Sequence, residues 1–191
     1  MIRILRSADY PARPWKNGGG TTRDIVVSPP DASLDDFDWR LSLAQVDRDG
    51  PFSRFDDIDR TLVLLTGAMT LHEDDRQLDL VRHEPVTFAG ERAIRASVPG
   101  GATLDFNVMT RRGRVRHTVR RESFRKHANV AARTGSTIVL FALEDGLTVD
   151  GEQLRTYDTA IISASQVVVV VSTGAVAALV VELVDFYPNV L

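Results

Sequence analysis

The sequence predicts an all-β protein built from two related units, and three observations carry that expectation. Nearly every apolar run is short, rich in Val, Ile and Leu, and bounded by Gly, Pro, Asp or Asn, which is the punctuation of strands. The C-terminal third repeats the style of what precedes it. Turn signals such as Asp150-Gly151 stand between the runs at short intervals. Strands this numerous bury their edges by closing into barrels or stacking as sandwiches.

Taken in order, the runs place strands at 2–5, 24–27, 39–46, 61–65, 69–72, 85–89, 94–98 and 104–110, with a further one at 115–120. The last third adds 137–143, 147–149, 159–163, 167–171 and 175–184. Short helices are expected around 32–37 and 122–131. Along 39–44 the residues alternate, so Trp39, Leu41 and Leu43 face one way and Arg40, Ser42 and Ala44 the other. In the same way Leu104, Phe106 and Val108 share one face, and Asp105 and Asn107 the opposite one.

Self-similarity is visible at the level of segments. Thr61-Leu62-Val63-Leu64-Leu65 lies over Thr137-Ile138-Val139-Leu140-Phe141, Met69-Thr70-Leu71 over Leu147-Thr148-Val149, and residues 101–108 over 174–181. The division this implies is a first barrel at 1–113, carrying the unusual motifs, and a second, degenerate unit at 114–191, with the N-terminal strands open to sharing between them. In this alignment Asp105 and Asn107 meet Ala178 and Val180. That predicts a polar interior in the first unit and a dry one in the second. The alternative is that Asp105 and Asn107 merely face solvent.

At 191 residues, with 43% apolar side chains and a net charge of −3, the chain can build a substantial core and is a poor candidate for non-specific nucleic-acid binding. Cysteine is absent, which excludes disulfides, thiolate metal sites and cysteine nucleophiles. The first residues lack the apolar stretch of a signal peptide. The long apolar segment 167–184 is broken by Ser172, Thr173 and Gly174 and reads as two strands rather than a membrane span. A cytoplasmic protein with no membrane partner is expected.

The most unusual stretch is Pro14-Trp15-Lys16-Asn17-Gly18-Gly19-Gly20-Thr21-Thr22-Arg23-Asp24. Consecutive glycines are entropically expensive to order, so something must offset that cost. Two readings stand side by side. Asn17-Gly18 is a strong hairpin-turn signal. Alternatively, successive glycine amides form an anion-binding concavity, with Lys16 adding charge and Thr21 or Thr22 a hydroxyl. No G-x-x-x-x-G-K-[ST] loop and no G-x-G-x-x-G fingerprint exists. Arg40, if it faces a barrel interior, needs a partner: Asp24, Asp105 or an incoming carboxylate. Gly50-Pro51-Phe52-Ser53-Arg54-Phe55 reads as a structural turn, with Phe52 a candidate pocket wall.

His72, His83, His117 and His127 are scattered, so no metal and no other cofactor is expected. No G-x-S-x-G elbow is present. The basic segment 111–126 lacks the interleaved aromatics that stack on bases, so it suits a protein partner better than a nucleic acid.

These motifs resemble the HutD/Ves family of cupin-like proteins. The resemblance rests on residues 14–25, on Trp39-Arg40-Leu41-Ser42 with Ala44 and Val46, and on Gly50-Pro51-Phe52-Ser53 with Phe55. It continues through Asp59-Arg60, Phe88-Ala89-Gly90-Glu91, Asp105-Phe106-Asn107-Val108-Met109 and Arg111-Arg112-Gly113. Position 24, commonly Glu in the family, is Asp here. The resemblance implies an RmlC-like jelly-roll double barrel and an accessory, regulatory role in histidine utilisation, with no established reaction. The His-rich metal motif of many cupin-like proteins is missing from both units. The expected function is therefore binding of a small carboxylate, such as urocanate or formylglutamate. Its expected site is Lys16, Asn17, Gly18, Gly19, Gly20, Thr21, Asp24, Arg40, Asp105 and Asn107. A metal-free isomerase or lyase acting on a similar acid, with Asp105 or Asp24 as base, is the alternative. A homodimer is compatible with either.

Overall fold

A strand lasts as long as its alternation and its hydrogen-bonded neighbours do, and both give this chain seventeen strands and no α-helix among the described residues. The computed structural model describes residues 2–15, 18–163 and 166–186. The chain separates into two units: one is Pro11–Gly113, and the other joins the first ten residues to everything from Arg114 onward. The segment 2–10, left open to sharing between the units by the sequence, groups with the residues from Arg114 onward.

The Pro11–Gly113 unit holds β2 (Ala12–Pro14), β3 (Gly20–Ser28), β4 (Trp39–Val46), β5 (Gly50–Pro51), β6 (Ile58–Thr66), β7 (Thr70–Glu73), β8 (Arg76–Asp79), β9 (Pro85–Ala89), β10 (Arg95–Ser97) and β11 (Thr103–Arg111). They form a six-stranded sheet in the order β2-β3-β4-β11-β6-β9 and a four-stranded sheet in the order β5-β10-β7-β8. Alternate residues of the first sheet, Val46, Leu62, Leu64 and Phe88, meet Leu71 and Ala96 of the second in one apolar core, with Met69, Ile94 and Val98 added from the connections. This fixes which face of β3, β4, β6 and β11 looks inward.

The other unit contains β1 (Ile2–Leu5), β12 (Val115–Ala131), β13 (Ser136–Ala142), β14 (Leu147–Val149), β15 (Glu152–Leu154), β16 (Thr159–Ser163) and β17 (Val167–Asp185). They make one sheet, in the order β1-β16-β13-β17-β14-β15 with β12 also on β17. The strand succession matches the first unit: β6 pairs with β9 and β11, as β13 pairs with β16 and β17. The β7–β8 hairpin likewise has its counterpart in β14–β15.

Three expectations fail for local reasons. Residues 122–131 are strand, not helix. Phe124 and Ala128 sit four apart and both reach the core, which mimics a helical stripe. That even spacing is also what strand alternation gives; the ladder is irregular only between Arg125 and His127, where Lys126 takes a left-handed φ of 61°. The second misreading is the supposed break at Ser172 to Gly174. The backbone stays extended there, Ser172 Oγ donates to the Gly174 carbonyl at 2.9 Å, and β17 runs through as one strand. Residues 32–37 form turns, and Phe37 packs with Ile58 and Met109.

Candidate functional site

Across an antiparallel ladder, directly opposed residues share a face. Asp105 lies opposite Leu64 and Ala44, and Asn107 opposite Leu62 and Ser42. Since Leu62 and Leu64 belong to the core, Asp105 and Asn107 point inward, where their exposures are 1% and 5%. Met109 lies opposite both Arg40 and Arg60, which puts these arginines on the same inner face. Asp24, opposite Ser42, completes the set. The strand alternation read from the sequence thus brings Asp24, Arg40, Asp105 and Asn107 together.

The cluster divides into two linked groups. In the first, Arg40 Nε donates to Asp24 Oδ1 at 2.8 Å, and its Nη2 donates to the same oxygen. Arg13 approaches the other Asp24 oxygen at 3.6 Å. The second centres on Asn107, whose Nδ2 donates to Asp105 Oδ1 and whose Oδ1 accepts from Arg60 Nη2 at 3.1 Å. Arg60 Nη1 donates to the Ser53 carbonyl at 3.2 Å. Three rings surround its guanidinium, Phe52 and Phe88 at 5.3 Å and Phe55 at 5.6 Å, a cation–π cage for a cation taken out of water.

Two buried atoms of this second group have no hydrogen-bond partner, Arg60 Nε and Asp105 Oδ2. Burial pushes the Asp105 carboxyl up to about 7, against the opposing pull of Arg60 and the Asn107 hydrogen bond. Burial also lowers Arg60 to about 10, with Asp105 opposing that shift and Arg40 adding to it. The group can therefore supply a fixed N–H donor beside a carboxyl that changes charge near neutrality.

The glycine block is placed differently. Lys16 and Asn17 lie outside the described residues. Gly18, with φ 65°, donates its N–H to the Trp15 carbonyl at 3.0 Å. Gly19 accepts from Asp47 N at 3.0 Å, and Gly20 accepts from Trp15 N at 2.9 Å. A Cβ on Gly20 would stand 2.1 Å from the Gln45 carbonyl oxygen and 3.2 Å from the Trp15 ring, so a side chain there is excluded. Thr21, opposite Gln45, faces away from the core, whereas Thr22, opposite Ala44, faces in and accepts from Trp15 Nε1 at 2.7 Å. These contacts anchor the indole at a cleft of about 190 Å³ lined by Trp15, Gly19, Val46, Arg48 and Phe52.

A larger cleft of about 540 Å³ lies in the other unit beside Arg6 and Asp158. Its buried carboxylate is fully engaged by Ser7 N at 2.8 Å, Arg155 N at 3.1 Å and Arg6 at 3.0 Å, so it anchors the chain after β1. The basic segment is partly spent as well: Arg112 pairs with Asp59 and Glu91, and Arg120 with Glu122.

Arg60 is the residue missed from the sequence. The signal was its place two residues before Leu62 and four before Leu64, on the inward parity of β6. The ladder also corrects the internal alignment. With Leu140 laid on Leu64, Asp105 corresponds to Val180 and Asn107 to Glu182, because the β11 register shifts between Leu104 and Asp105. Val180 packs with Ile138, Leu140 and the other apolar side chains of that unit's core.

The strand order and the inward-facing cluster define an all-β, cupin-like protein. YhhW from Escherichia coli shows the same fold, with a TM-score of 0.71 over 98% of both chains at 10% identity. The chain belongs to the HutD family, whose model matches residues 7–179. HutD from Pseudomonas fluorescens superposes with a TM-score of 0.83 at 26% identity, over 97% of this chain and 99% of that one. The Ves protein of Cronobacter sakazakii is 42% identical over 113 residues, 58% of this chain and 61% of that protein. An uncharacterised 21.2 kDa Pseudomonas putida protein from the hutC 3′ region is 35% identical over 144 residues, 74% of each chain. This chain therefore spans less than two thirds of the Ves protein that it matches.

Metal sites of cupin-like proteins draw on histidine. Among the described residues no three His, Asp or Glu side chains are placed to hold a metal ion, and the inner-face donors here are guanidinium, carboxamide and carboxyl groups. This donor set does not fit a metal. No helix in the described residues is long and apolar enough to cross a membrane.

Proposed function

We propose that this chain is a small-molecule-binding protein of two related β-barrel units that senses a small carboxylate and modulates histidine utilisation. One observation carries the proposal: Arg60, Asp105 and Asn107 are buried inside one unit, while Val180, at the place of Asp105 in the other, lies in an apolar core. Burying ions costs several kcal/mol each unless they are compensated. An interior needed only for packing is better filled as the second unit fills it. The pairing of Arg40 with Asp24 leaves Arg60 as the cation for an incoming anion.

The link to histidine utilisation is supported by the hutC 3′ region of the Pseudomonas putida relative. Urocanate and formylglutamate are the first ligands to try. A ligand that binds the folded chain at about 100 times its Kd adds roughly 2.7 kcal/mol of stability, which a melting curve reads directly. If neither acid raises the melting temperature, and Arg60→Lys leaves histidine-dependent growth unchanged, the proposal fails.

The Asp105 carboxyl near 7 favours one other reading, a metal-free isomerase or lyase, because a general base works best with a pKa close to the operating pH. Turnover of a candidate acid followed by NMR, lost in Asp105→Asn while binding persists, distinguishes catalysis from sensing.

A further inference from the structure

We propose that Arg60 and Asp105 form the carboxylate-holding end of the inner-face site, and that Asp105 takes part as the neutral acid, so binding of the anion is coupled to protonation of Asp105. This rests on the reading of the Pro11–Gly113 unit as a small-carboxylate site. The Asn107 carboxamide fixes both partners. Arg60 can only donate, so the amide oxygen faces it and the amide N–H faces Asp105. Each partner keeps one buried atom unspent, Arg60 Nε–H and Asp105 Oδ2. With a proton on Oδ2 the two form a pair of donors: one ligand oxygen accepts from Arg60 Nε and the other from Asp105.

Charge balance decides the protonation state. The charged groups facing Asp105 are Arg60 from β6, Arg40 from β4 and Asp24 from β3, and the last two neutralise each other. Toward the same interior β9 presents Phe88 and Val86, β7 presents Leu71 and β10 presents Ala96, none of which titrates. One guanidinium thus remains for two carboxyl groups, and like charges sharing a dry site force one of them to hold a proton. The proton comes from solvent and resides on Asp105 Oδ2. Burial already keeps that carboxyl protonated up to about 7 in the empty site. Phe52 both lines the neighbouring cleft and covers the Arg60 guanidinium, so entry from that cleft passes its ring.

The test is calorimetric titration of the whole protein with acetate, at several pH values and in two buffers of different ionisation enthalpy. Above about pH 7 the affinity falls about tenfold per pH unit, with one proton taken up per acetate. Asp105→Asn, an isostere of the neutral acid, binds acetate without proton uptake and, at about pH 8.5, about 30-fold more tightly than the parent. Arg60→Lys keeps the charge but loses the Nε–H, and weakens binding about tenfold or more throughout. Acetate binding above about pH 7 without proton uptake, or an Asp105→Asn variant that follows the parent's pH profile, overturns the proposal. No acetate binding at about pH 6 by protein with an intact β circular-dichroism spectrum overturns the small-carboxylate reading itself.

Discussion

Replacing Asp105 by Asn isolates the energetic consequence of burying this carboxyl. In the folded chain it ionises at about 7, against an ordinary value of 3.8. The folded state therefore holds a proton that the unfolded state has already released, and stability is lost as pH rises from the unfolded value through the folded one. Over the whole window the difference corresponds to on the order of 4 kcal/mol, and between about pH 5 and pH 8 to about 3 kcal/mol. A carboxamide cannot ionise, so the variant lacks this slope. Urea unfolding of both proteins across that range, with the difference in unfolding free energy plotted against pH, cancels every other titrating group. The variant should gain on the parent by about 3 kcal/mol from the acid to the basic end. A flat difference would show that Asp105 ionises like an exposed carboxylate and would remove the physical basis for its special role.

Two further substitutions probe the frame around the site. Gly20→Ala brings a Cβ against the Gln45 carbonyl, a backbone atom that cannot step aside, and should cost about 2 kcal/mol or more in chemical denaturation. Gly100→Ala, with open space at its Cβ, should change stability by no more than about 0.5 kcal/mol. Asp24→Asn leaves the largely buried Arg40 guanidinium without its counter-charge, at a cost of about 3 kcal/mol that the double variant with Arg40→Met should largely recover.

The fold class was legible because short β-branched runs and turn residues are local signals, and strands such as Trp39–Val46 and Leu147–Val149 have the bounds that alternation assigns them. Residues 122–131 were misread because a four-residue spacing of core side chains, as between Phe124 and Ala128, fits the face of a helix and of a strand alike. Alternation put Asp105 and Asn107 on one shared face, but only their pairing with the core residues Leu62 and Leu64 shows that this face looks inward. The glycine block was only half legible. Its turn character is local, but Gly20 is excluded from bearing a side chain by the Gln45 carbonyl of a neighbouring strand, which no local pattern encodes.

Arg60 marks where sequence reasoning stops, and why. Its cage comes from Phe52, Phe55 and Phe88, and its link to Asp105 passes through Asn107, forty-seven positions away. Nothing near residue 60 announces those neighbours. The corrected register, by contrast, strengthens the contrast between the units. Sequence similarity sets Asp105 against Ala178, whereas the ladder sets it against Val180, 1% exposed among apolar side chains. The same β scaffold therefore tolerates a bulky apolar residue where this unit keeps an unpaired carboxyl oxygen. Asp105 is thus not demanded by the architecture, and the free energy it withholds from stability at neutral pH is available to a ligand that satisfies it.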